Sequence, residues 1–211
     1  MSADYLVPAS DAVSEYIVKK SQFIAHVKRI SSEEEALSFI DEIKNRHPDA
    51  THNVWAYCTR DGAIRWSDDG EPGGTAGSPT MGVFRSANVC DVCCVVTRYF
   101  GGILLGSGGL VRAYSKAASE ALSIAGIARV VLWSEICVKC SYSLYERVCR
   151  VFESFGNLPE KLKSDFAEDV SVIGIVPSDD VKSFTHEITQ LSSATATVSV
   201  LGEAYYPQKA E

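Results

Sequence analysis

The sequence predicts an α+β fold in two domains, residues 1–132 and 133–211. Two observations predict it. Strand-like and helix-like stretches mix irregularly up to Ala125, and beyond Gly126 they settle into the order β-α-β-β-α-β. That order is the split βαβ, or ferredoxin-like, arrangement. A chain of 211 residues buries one large core or two modest ones, and its 46% hydrophobic and 22% charged residues are ordinary for a folded protein.

In order along the chain, "SEYIVKKSQFIAHVKRI" gives two strand-like runs after an irregular start, near Tyr16–Lys20 and Gln22–Ile30. "SSEEEALSFIDEIKNRHP" opens with a capping box, Ser32 at the N-cap and Glu35 three residues on. Its apolar residues Ala36, Phe39, Ile40 and Ile43 keep helical spacing, and Pro48 lies past the end. "HNVWAYCT" is the next strand. The long loop "RDGAIRWSDDGEPGGTAGSP" carries one short strand, Ala63–Trp66. A short helix in "PTMGVFRSA", a strand Val89–Thr97 and a long helix Gly108–Ala125 follow. The second domain reads as strand 129–141, helix 143–155, strands 158–164 and 169–176, helix 178–191 and strand 196–203.

Composition excludes several classes. No window approaches 18 uninterrupted apolar residues, so no membrane helix is predicted. The N-terminus "MSADYLVPASDAVSEYIVKK" has early acids and no apolar h-region, which reads as a cytoplasmic protein. Seven cysteines, an odd number, argue against a disulfide framework. Cys90 and Cys93, like Cys137 and Cys140, have metal-like spacing, but both pairs sit in β-branched runs where residues i and i+3 point to opposite faces. Buried thiols are therefore expected, with no metal and no cofactor. A net charge of −7 argues against bulk electrostatic coating of nucleic acid. The first 131 residues hold 13 Lys and Arg against 15 Asp and Glu, so a local anion site belongs there rather than in the more acidic remainder.

Ten of the 15 glycines lie between Gly70 and Gly109 in two clusters. In the second, Gly101, Gly102, Gly106, Gly108 and Gly109 surround Ser107, read here as the N-cap of the long helix. Glycines at a helix start leave free N–H groups uncovered at the positive end of the dipole. Arg112 and Lys116 share one helix face, and Arg98 and Tyr99 approach from the preceding strand, completing a cradle for phosphate or carboxylate. Packing explains the same glycines equally well: Ala113, Ala117, Ala121 and Ala125 form a small-residue stripe suited to close contact with a sheet.

The first cluster, "SDDGEPGGTAGSP", sets Asp68, Asp69 and Glu71 beside Thr75 and Gly77. These acids shape the cleft by accepting from arginines or bind a divalent cation, while Asp-Asp-Gly and Glu-Pro-Gly are also plain turn chemistry. No catalytic residue is predicted. His26, His47, His52 and His186 are scattered outside known catalytic contexts.

"DDGEPGGTAGSP" followed by "VVTRYFGGILLGSGGLVRAY", preceded by "SQFIAHV" and "HNVWAY", resembles the IMPACT family in its bacterial, YigZ-type form. The resemblance covers about residues 14–125, with the tail similar to the second domain of bacterial members; Gly73 stands where the motif commonly has serine. It implies a first domain like ribosomal protein S5 domain 2 and a second like the ferredoxin-like C-terminal domain of elongation factor G. Both relatives touch ribosomal RNA or ribosome-bound ligands, so the implied partners are RNA or the ribosome and the implied setting is translation. Eukaryotic IMPACT restrains a translation kinase through its ribosome-associated activator, which adds a regulatory protein as a partner class and a purely protein-binding regulator, its glycines serving packing alone, as one alternative function. The S5-like fold is shared with small-molecule kinases, so an enzyme acting on a small phosphorylated ligand is the other alternative, by fold analogy.

Overall fold

The computed structural model describes residues 4–157 and 159–209. The chain divides into two units, Tyr5–Arg129 and Val130–Tyr206. Both combine helices with antiparallel sheet.

The first unit begins with a short strand, β1 (Tyr5–Pro8), where an irregular start was expected. Leu6 bridges Val89, and its carbonyl accepts from Cys90 N–H at 2.9 Å. A five-stranded sheet follows, ordered β2-β3-β6-β4-β5 and antiparallel throughout. Its strands are β2 (Ala12–Val18), β3 (Ser21–Arg29), β4 (His52–Cys58), β5 (Ile64–Ser67) and β6 (Val92–Tyr99). Lys19 and Lys20 form the two-residue turn between β2 and β3, both at positive φ as a type I′ hairpin requires, so the strand expected to reach Lys20 stops at Val18.

Period-two alternation fixes what each face of this sheet touches. From β6, Val92, Cys94 and Val96 join a core with Phe23 and Ala25 of β3 and Val54 and Ala56 of β4. Two helices cover that face: α2 (Gly77–Ser86) and α3 (Ser107–Ala125). The alanine stripe of α3 is fully buried, with Ala117 and Ala121 at 0% exposure, so the packing role read from the sequence is met. Cys93 and Val95 face the other way into a smaller core under α1 (Glu33–Arg46), built from Ala36, Phe39, Ile40 and Ile43. Ser32 caps α1 by accepting from Glu35 N–H at 3.2 Å. The return bond of the box differs from expectation: the Glu35 carboxylate takes the N–H and hydroxyl of Ser31 instead.

The second unit holds β7 (Ile127–Cys140), which crosses the division, then α4 (Tyr145–Ser154), β8 (Lys163–Phe166), β9 (Val170–Pro177), α5 (Val181–Ser192) and β10 (Thr197–Lys209). β9 lies between β7 and β8, antiparallel to both, and β10 pairs with β7. Phe152 of α4 and Phe184 of α5, ring centroids 4.7 Å apart, fill the core beneath. The strand expected over 158–164 is shorter and later: a 3-10 turn occupies Pro159–Lys161 before β8, and Leu158 falls outside the described residues. A proline at the head of that run removes a ladder donor, which favours the turn.

Candidate functional site

Across the first sheet, register sets Phe23, Arg98 and His52 in one row of cross-strand neighbours. Alternation from Val96 places Arg98 on the face toward α2 and α3, and its side chain is only 6% exposed. Its guanidinium carbon lies 5.4 Å from the Phe23 ring centroid and 5.5 Å from that of Phe100. The charge is met by Glu71, whose Oε1 accepts from Arg98 and, at 2.8 Å, from the Tyr114 hydroxyl of α3. Burial first, and then the Glu71 carboxylate, push the Tyr114 hydroxyl up, so it remains a donor. Arg98 was expected to contact a bound phosphate; it is instead held inside by its own carboxylate, with Nε buried and unpartnered.

His52 enters the same group. Its Nδ1 lies 2.7 Å from the carbonyl of Asp69, and a carbonyl only accepts, so Nδ1 carries the hydrogen. In the neutral ring Nε2 then holds a lone pair, 3.9 Å from Glu71 Oε1.

Asp68 and Asp69 are occupied elsewhere. The Asp68 carboxylate accepts from the backbone N–H groups of Gly74, Ala76 and Gly77 at 2.8–3.0 Å, capping α2 from a distance. Burial alone raises the Asp68 carboxyl, and the three N–H bonds outweigh it, leaving it below the usual aspartate range. Asp69 accepts from Asn53 N–H at 2.6 Å and pairs with Lys44 at 3.6 Å. Thr75 donates to the Pro72 carbonyl at 2.6 Å, and Gly77 opens α2. These residues build the loop rather than line a cation site, and among the described residues no three His, Cys, Asp or Glu side chains converge to hold a metal.

One experiment checks the capping role. A folded carboxyl that titrates below its unfolded value stabilises above the ordinary aspartate range and loses that contribution as pH falls through the lowered value. Asp68→Asn leaves one accepting oxygen where the carboxylate has two, and is expected to cost about 1 kcal/mol at neutral pH and to flatten the acid limb of stability, read by urea unfolding at several pH values. An unchanged acid limb would refute the assignment.

The glycine-rich junction faces water. Gly106, Ser107 and Gly108 are exposed, and α3 starts one residue earlier than expected, with Gly106 rather than Ser107 at the N-cap. Gly106 sits at φ 72°, where an L side chain is strained, and its carbonyl accepts from Leu110 N–H at 2.9 Å. Gly101 is half-buried and its N–H donates to Ser21 Oγ at 3.1 Å, whereas Gly102 is exposed and Gly109 half-buried against Leu105. Arg112 is exposed, with no carboxylate partner among the described residues. Lys116, four residues on, pairs with Glu120 at 3.0 Å and lies along a separate groove between α2 and α3. Tyr99 is turned away from the cleft, its hydroxyl 2.9 Å from Nδ1 of His47, the C-cap of α1.

A cleft of about 370 Å³ joins these parts. Of the residues read as a site from the sequence, Glu71, Arg98, Gly106 and Ser107 line it. His52, Phe100 and Leu104 line it too and were not foreseen; Tyr114 stands behind it on Glu71. A signal for His52 was present, because it shares the strand parity of the apolar residues Val54 and Ala56.

Residues 19–122 match the model of the Impact N-terminal domain. The chain is 36% identical to the IMPACT family member YvyE of Bacillus subtilis over 93% of its own length and 90% of that protein. It belongs to the IMPACT family. Another member, YigZ of Escherichia coli, is 30% identical over 94% of this chain and 98% of its own. An IMPACT family member of Haemophilus influenzae is 34% identical over 94% of this chain and 98% of its own. A solved structure titled as an hypothetical protein aligns with a TM-score of 0.61 at 28% identity, covering 96% of this chain and 99% of that one. No helix among the described residues is long and apolar enough to cross a membrane.

Proposed function

We propose that this IMPACT family member is a cytoplasmic RNA- or ribosome-binding protein acting in translation or its regulation, and that the cleft of the first unit is its contact surface. The carrying observation is the water-facing start of α3, where Gly106, Ser107 and Gly108 leave backbone N–H groups uncovered and Arg112 stands close by with no carboxylate partner among the described residues. Amides at a positive helix end beside a free guanidinium suit phosphate. The domain reading goes with it: residues 1–132 as an S5 domain 2-like body, and 133–211 as a ferredoxin-like one. The β-α-β-β-α-β order, with β9 between β7 and β8 and β10 on β7, supports the second assignment.

The test is a titration of purified ribosomes, and of single-stranded RNA, across salt concentrations. Binding strengthens as salt falls, and Arg112→Ala weakens it uniformly across sequences while lowering the salt slope by about one. Absence of affinity at low salt, or an Arg112→Ala variant that binds as well as the parent, ends this reading.

A further inference from the structure

Within the cleft the polar groups are of two opposite kinds. The α3 start, through Gly106 and Ser107, lines it with backbone donors. Glu71 and His52 line it as well, with His52 Nε2 3.9 Å from Glu71 Oε1 and an acceptor in the neutral ring. Oε1 of Glu71 is taken by Arg98 and Tyr114, while Oε2 has no hydrogen-bond partner among the described residues. The Glu71 side chain is 3% exposed and that of His52 19%, and both line the cleft. A buried carboxylate oxygen beside a neutral imidazole nitrogen is satisfied by a hydroxyl or amine donor from outside. The lining also includes the apolar side chains of Phe100 and Leu104, residues 45% and 81% exposed.

Single-stranded RNA repeats this pattern of donor, planar ring and anion: a 2′-hydroxyl, a base and a phosphate on each residue. We propose that the cleft takes one ribonucleotide of a single-stranded segment, its 2′-hydroxyl donating to the His52–Glu71 pair, its base against Phe100 and its phosphate at the α3 start. The inference rests on the RNA-binding reading above and adds to it a sugar preference. DNA offers no donor at that position, so His52 and Glu71 become the residues that tell the two nucleic acids apart. A volume of about 370 Å³ is at the lower end of the range for small-ligand pockets, enough for one nucleotide and not for a duplex.

The experiment compares oligomers of uridine, 2′-deoxyuridine and 2′-O-methyluridine, equal in length, by fluorescence anisotropy on the intact protein. The ribose oligomer binds about tenfold more tightly than the deoxy one. The methylated oligomer, which keeps the oxygen but cannot donate, behaves like the deoxy one. His52→Phe keeps the ring and removes the acceptor, and lowers affinity for the ribose oligomer to the deoxy level. Equal binding of the three oligomers overturns the sugar preference while leaving phosphate-driven RNA binding standing. A ribose preference that survives in His52→Phe overturns the assigned location. Uridine monophosphate that displaces the oligomer at equal nucleotide concentration overturns the choice of a strand over a free nucleotide. Failure of all three oligomers to bind, under conditions where the ribosome titration also fails, removes this proposal together with the reading it rests on.

Discussion

Glu71→Ala is expected to destabilise the first unit by about 3–5 kcal/mol, measured by chemical denaturation at neutral pH. The carboxylate is 3% exposed and its partner guanidinium 6%, so removing it strands a buried charge. The Tyr114 hydroxyl loses its acceptor in the same stroke. Conservative removal of that single bond, by Tyr114→Phe, is expected to cost only about 1 kcal/mol. Replacing both charged partners, Glu71→Met with Arg98→Met, is expected to lose less than the sum of the single changes, because neither charge is then left alone. A single-variant loss below about 1 kcal/mol would mean that water screens the pair.

Gly101→Ala is expected to cost about 3 kcal/mol or more in thermal or chemical unfolding. A Cβ at Gly101 would collide with the carbonyl carbon and oxygen of Lys20 and with the backbone nitrogen of Ser21. These are backbone atoms of the β2–β3 turn, which have no rotamer to move into. Either the turn or the segment 100–106 must shift, and that segment carries Phe100 and Leu104 of the cleft wall. The control is Gly73→Ala, in the first glycine cluster, where a Cβ meets nothing within 4 Å and stability should change by less than about 0.5 kcal/mol. If the two variants unfold alike, the close approach of the two segments is wrong.

What the sequence revealed depended on how local each signal was. The helix α1 was legible from Ser32, Glu35 and the 3.6-residue spacing of Ala36, Phe39, Ile40 and Ile43, all within one element. The α3 start was displaced by one residue because Gly106, free to adopt positive φ, takes the cap position ahead of a serine with good capping chemistry. Arg98 shows the harder case. Its parity with Val92, Cys94 and Val96 pointed it inward, yet nothing local says that a loop residue 27 positions earlier supplies its counter-charge. Glu71 lies in a turn-rich stretch with no periodicity, so its burial could not be read from spacing. His52 reaches the group through cross-strand register, which the chain specifies only once the sheet order is known.

The central strand β6 has one further consequence, for covalent chemistry. Cys93 and Cys94 sit side by side in sequence but in separate cores, each fully enclosed, and burial drives both thiols away from ionisation. Alkylating agents and oxidants need a thiolate they can touch. Neither is on offer at β6 while the first unit stays folded, so susceptibility falls to the half-buried rim sulfurs Cys90 and Cys149, themselves muted by burial. A protein with seven free thiols is thus expected to react, while folded, as one with few.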